Sequence, residues 1–194
     1  FIQALAARYD GDPRLAWVEM GVGTFGETHP TDADFQSCAV SAGLTSDLWI
    51  QTVESITDIY LNAFQRTPLL LQMASVFQHD TERRQFADYA ASRGVGLKHN
   101  GLLPDNDGVA YDDPSYSFYQ AGAFDLMRKW GDRVPIGWES YDYLLTGLTG
   151  TTWGIYNGLD KHADYMVLAS DITTDASRRP LLDFANAHLG RSLL

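Results

Sequence analysis

Two glutamates, Glu27 and Glu139, each follow a short apolar run that reads as a strand, WVEMGVGTFGETH from Trp17 to His29 and VPIGWESY from Val134 to Tyr141. A pair of carboxyl groups can break a glycosidic bond, one as general acid/base and the other as nucleophile. Glu27 follows Gly26 in a loop just past its strand, and a partly buried carboxyl there would hold a proton for a leaving-group oxygen. Glu139 ends its own strand between Trp138 and Ser140, and polar donors from Tyr141, Lys98 or Asn100 would keep it ionised for attack. The bland alternatives are an exposed loop carboxylate for Glu27 and a structural salt bridge for Glu139.

Around these two residues, Trp138 and Trp153 are the candidate aromatic platforms for sugar rings. Lys98 and Asn100 share one strand parity, so both can reach substrate hydroxyls or a catalytic carboxylate while His99 points the other way. Glu19 shares parity with Trp17 and Gly21 and is expected to be an interior carboxylate paired to Lys98, without a catalytic role. The five histidines and single cysteine, Cys38, show no metal-ligand spacing, so no metal and no cofactor is expected. Gly-x-Ser-x-Gly is absent, and Gly21-Val22-Gly23 lacks the third glycine of a dinucleotide loop. Asp105 to Tyr111 lacks the glutamate of a calcium loop and reads as a loop over the mouth of the site.

The elements that must position these residues alternate. Phe1 to Tyr9 has helical periodicity, Leu15 to Val22 reads as a strand, and Gly23 to Ser46 as a loop. A long helix follows, capped by Ser46 or Asp47 and extending to Ala63. Leu69 to Val76 is a continuously apolar run suited to a strand buried on both faces. A helix capped by Asp80 or Thr81 then runs to Arg93 and Gly94, followed by a strand from Val95 to Asn100. Ser115 to Trp130 is helical, Val134 to Glu139 a strand, Thr151 to Lys161 a short helix and Ala163 to Ser170 a strand. Asp175 or Ser177 caps a last helix ending near Gly190. Regular alternation of strand and helix means parallel strands joined by right-handed crossovers. The fold class is α/β, and the placement of both glutamates at strand C-termini favours a (β/α)8 TIM barrel over a doubly wound sheet. Residues 1–194 then form a single partial catalytic domain holding about strands 4 to 8, with strands 1 to 3 upstream in the same polypeptide.

A net charge of −11, from 14 basic and 25 acidic residues, disfavours nucleic acid and anionic membrane as partners. No apolar run approaches the roughly 20 residues of a membrane span. Phe1 leads directly into a helical pattern without an initiator Met, as expected of a segment from a longer chain.

The run RYDGDPRLAWVEMGVGTFGETH, Arg8 to His29, resembles the fourth-strand region of uncharacterised bacterial glycoside-hydrolase-like barrels related to clan A, the retaining group that includes β-galactosidases and cellulases. The similarity continues through KHNGL at Lys98 to Leu102, PIGWES at Pro135 to Ser140 and FANAHLG at Phe184 to Gly190. It implies a retaining glycosidase acting on an oligo- or polysaccharide, with Glu27 as acid/base after the fourth strand and Glu139 as nucleophile ending the seventh. It also implies that the chain begins at the third helix. Secretion or a periplasmic location follows only by analogy. One departure stands out: the residue before the acid/base is usually an Asn that binds the sugar 2-hydroxyl, and here it is Gly26. His29 and Asn100 are the candidates to supply that contact, and the alternative is a carbohydrate-binding barrel without turnover. A retaining pair requires carboxyl groups roughly 5 to 5.5 Å apart. A metal-dependent hydrolase would instead need three or more His or carboxylate side chains converging on one point.

Overall fold

The computed structural model describes residues 1–73, 77–79, 81–104, 123–140 and 145–191. They form an α/β fold with a five-stranded sheet whose order, β1-β2-β3-β4-β5, follows the chain: β1 Val18–Met20, β2 Leu69–Met73, β3 Gly96–His99, β4 Ile136–Glu139 and β5 Tyr165–Val167. The β1–β2 and β4–β5 pairs are parallel. By internal packing the chain divides into two units, Phe1–Leu97 and Lys98–Leu194.

In the first unit, the helix α1, Ile2–Tyr9, ends at Asp10, whose carboxylate accepts hydrogen bonds from the backbone N–H groups of Gln65, Arg66 and Thr67. Those three residues lie between the long helix α3, Ser46–Ala63, and β2. The Asp10 turn therefore fastens the start of the chain to the entry of the second strand. Burial opposes ionisation of Asp10, yet the three N–H donors hold its carboxyl well below the usual carboxylate range. The apolar stripe Trp49, Ile50, Val53 and Tyr60 turns the buried side of α3 inward. Thr45 is its cap, accepting from Leu48 N–H at 3.2 Å, rather than Ser46 or Asp47. Ser46 instead donates through Oγ to the buried Glu82 at 2.5 Å. Glu82 lies in the first turn of α4, Thr81–Ala91, and also accepts from Phe77 N–H at 2.5 Å. The carboxylate thus ties the start of α3 to the connection before α4.

The segment from Gly23 to Ser46, expected as loop, contains the short helix α2, Gln36–Ser41, with exposed Cys38 on it. The first strand is shorter than its apolar run, since Gly21 and Gly23 lead into a tight turn. Residues 74–76 of the expected second strand and the Asp80 cap lie outside the described residues.

In the second unit, α5, Ala123–Trp130, places Phe124 against Trp138 of β4, ring centroids 4.6 Å apart. The helix α6, Gly147–Asp160, begins four residues earlier than its sequence pattern suggests. Its glycines serve packing: a Cβ on Gly154 would meet Leu145 Cδ2 at 2.2 Å, and one on Gly158 would meet Met166 Cε at 2.6 Å. Close approach overrides the poor helix propensity of glycine. The strand expected over Ala163 to Ser170 is confined to β5, because Ser170 already starts the helix α7, Ser170–Thr174. Asp175 then accepts from Ser177 N–H at 2.9 Å, initiating the turn that leads into α8, Arg179–His188. Ile155, Leu159 and Ala185 form a core between α6 and α8, flanked by Met166, Leu182 and Phe184. The expected helix over 115–122 and the loop 105–111 lie outside the described residues.

Candidate functional site

Glu27 stands in a turn beyond the C-terminal end of β1. Its Oε2 lies 3.0 Å from His29 Nε2, and its Oε1 accepts from Gln72 Nε2 at 3.1 Å. Both members of the Glu27–His29 pair are largely buried, with side-chain exposures of 13% and 12%. The other imidazole nitrogen, Nδ1, lies 2.8 Å from Thr31 O. A carbonyl can only accept, so Nδ1 carries a hydrogen. Nε2 and Oε2 are then two atoms that cannot face each other as bare acceptors, and the pair must hold one more proton. That proton lies in the hydrogen bond between His29 Nε2 and Glu27 Oε2. The Glu27 hydrogen bond is the main cause that raises the His29 pKa above its usual value, against the opposing effect of burial.

His29 therefore partners the candidate acid, rather than standing free to replace the missing Asn at a sugar hydroxyl. Gln72 was not legible as a site residue, although it is the single polar residue in the apolar run of β2. That interruption was the available signal.

Glu139 ends β4, and its carboxylate forms an ion pair with Lys98 of β3, Nζ to Oε2 2.7 Å, at side-chain exposures of 5% for the lysine and 25% for the glutamate. The backbone of this corner is also fastened: Leu102 N–H donates to Glu139 O at 2.9 Å, and Ser140 N–H donates to Val167 O at 2.9 Å. Asn100, just past β3, is buried. Lys98 thus has Glu139 as an ion-pair partner, and Glu19, expected to be interior, is exposed.

Trp138 is not an accessible platform for sugar. It is 0% exposed, wedged against Phe124 and edge-on to His99 with centroids 5.9 Å apart. Strand alternation is the cause: successive side chains leave on opposite faces, so Lys98 meets Glu139 on one face while His99 meets Trp138 on the other. Trp153 is 60% exposed on α6, next to Tyr156. Tyr141 lies outside the described residues.

Tyr165 joins the corner unexpectedly. It pairs with Gly137 across β4 and β5, two residues before the Glu139–Val167 pair. A Cβ at Gly137 would meet Tyr165 Cε1 at 2.3 Å, so the ring lies over the glycine on the Glu139 side of the strand. Among the described residues, no three His, Cys, Asp or Glu side chains gather as a metal site. A cavity of about 630 Å³ is lined by Arg8, Tyr9, Asp12, Arg14 and Leu15, none of them a candidate site residue.

No protein-family model matches the chain, and no curated protein matches it by sequence. Among solved structures, the chain is similar to the catalytic domain of a β-amylase from Paenibacillus polymyxa, at a TM-score of 0.40 and 11% identity, covering 79% of this chain and 40% of that one. The chain thus spans less than half of that domain.

Proposed function

We propose that the chain belongs to a retaining glycoside hydrolase, a (β/α)8 barrel to which these five strands contribute strands 4 to 8, with Glu27 as acid/base and Glu139 as nucleophile. The observation that carries the proposal is the different company of the two carboxyl groups. Glu27 shares a proton with His29, as a group that must donate one to a leaving oxygen and later take one from water should. Glu139 faces the ammonium of Lys98, which favours the negative charge a nucleophile must carry. Glu27 lies past the C-terminal end of β1 and Glu139 is the last residue of β4, and the C-terminal strand ends are where barrel enzymes place their chemistry.

In this mechanism Glu139 attacks the anomeric carbon while Glu27 protonates the departing oxygen. His29 holds the shared proton at Glu27 Oε2, and Gln72 fixes the other carboxyl oxygen. Water, deprotonated by Glu27, then releases the sugar from Glu139.

A second reading, a carbohydrate-binding barrel without turnover, is favoured by Gly26. It occupies the place of the Asn expected before the acid/base, has φ of 83°, and leaves open space where a side chain would stand. The test compares full-length wild type, Glu27→Gln and Glu139→Gln on a panel of aryl glycosides. Activity abolished by Glu139→Gln, and partly retained by Glu27→Gln on good leaving groups, supports both assignments. Glycan binding without hydrolysis in the wild type selects the binding module.

A further inference from the structure

Phe25 is 80% exposed, two residues before Glu27, and has φ 58° and ψ 16°, in the left-handed region. That region is disfavoured for a bulky L-residue, and glycine or asparagine would occupy it at lower cost. The surrounding turn imposes the conformation. Thr24 N–H donates to His29 O at 3.0 Å, Gly26 N–H to Gly23 O at 3.0 Å, and Glu27 N–H to Thr24 O at 3.1 Å. Thr24 Oγ1 donates to Pro30 O at 3.1 Å, and Trp49 Nε1 to Thr28 O at 2.9 Å. A Cβ at Gly23 would lie 2.2 Å from His29 O, so the backbone closes tightly on itself there.

Among the described residues, the other non-glycine residue in this region is His162, at φ 62°. It packs over Gly131 and lies 3.4 Å from Asp132 Oδ1, so contacts within its own unit offset its strain. Phe25 has an unfavourable backbone and a ring turned to solvent, and the same turn carries Glu27. Strain maintained by a rigid surround is a mark of functional positions.

We propose that Phe25 is a specificity-determining platform that stacks on the ring of the leaving group whose oxygen Glu27 protonates. This inference rests on the acid/base reading of Glu27, because the acid stands beside the leaving group. The substrate class it selects is a glycoside with a ring on its leaving side, a disaccharide or longer, over a glycoside whose leaving group is a small alcohol.

The experiment uses the full-length protein as wild type, Phe25→Ala, Phe25→Gly and Phe25→Trp, with a disaccharide and the methyl glycoside of the same sugar as substrates. Phe25→Ala and Phe25→Gly should lower kcat/KM on the disaccharide roughly 10-fold or more, chiefly through KM, and on the methyl glycoside less than about 2-fold. Phe25→Trp should keep the preference, and Phe25→Gly should melt at the wild-type temperature or above. An equal loss on both substrates, no loss, or a lowered melting temperature in Phe25→Gly overturns the platform. Should the wild type hydrolyse nothing, the hydrolase reading fails separately, and disaccharide binding by calorimetry decides the platform. Weaker binding in Phe25→Ala supports it, whereas unchanged binding, or no binding by the wild type, overturns it.

Discussion

Replacing Lys98 with methionine removes an ammonium while keeping most of the aliphatic stem, and should destabilise the protein by about 2–4 kcal/mol. Lys98 Nζ lies 2.7 Å from Glu139 Oε2. With an effective dielectric constant of about 20, Coulomb's law gives an attraction of about 6 kcal/mol, much of it offset by desolvation of the two charges. Removing one member of a fully buried pair costs about 3–5 kcal/mol because the remaining charge loses its compensation. Glu139 is 25% exposed, so water recovers part of that loss and the expectation moves below the fully buried range. In Lys98→Met/Glu139→Gln neither charge of the pair remains, and the double variant should be more stable than the sum of the two single losses predicts. Urea unfolding of wild type, both single variants and the double variant at pH 7 completes the cycle. A loss under about 1 kcal/mol in Lys98→Met, or strictly additive losses, would refute the reasoning, showing that solvent rather than the partner compensates the charges.

Two further outcomes follow from neighbouring geometry. The His29 pKa is raised in the folded state, mainly by the hydrogen bond to Glu27, so its contribution to stability is fully present below the unfolded imidazole value of about 6.5 and is lost as pH rises through the folded value. Thermal melts of wild type and His29→Gln from pH 5 to 9 should converge as pH rises, and a difference that widens with pH contradicts the shared proton. Gly137→Ala should cost about 1–3 kcal/mol in urea unfolding, since its Cβ would meet Tyr165 Cε1 at 2.3 Å, and much of that cost should vanish in a Tyr165→Ala background.

Amino-acid order alone determined the alternation of elements, because apolar periodicity and turn residues act locally. α1 and α3 lie where helical spacing places them, and β2 coincides with the start of the run from Leu69. The same local rules placed Glu27 and Glu139 just past or at strand ends. Strand alternation also contained the opposite faces of Trp138 and Glu139, although chemical type alone suggests a sugar platform there. What only the tertiary structure decided are the partners. His29 folds back on Glu27 because the turn from Gly23 to His29 closes through hydrogen bonds that no residue type announces. Gln72 reaches Glu27 from 45 residues away, and Lys98 meets Glu139 on the neighbouring strand, because pairing across strands depends on register and twist rather than on proximity in the chain. The glycines of α6 make the same point: local propensity argues against a helix from Gly147 onward, yet close packing against Leu145 and Met166 requires residues without a Cβ at Gly154 and Gly158.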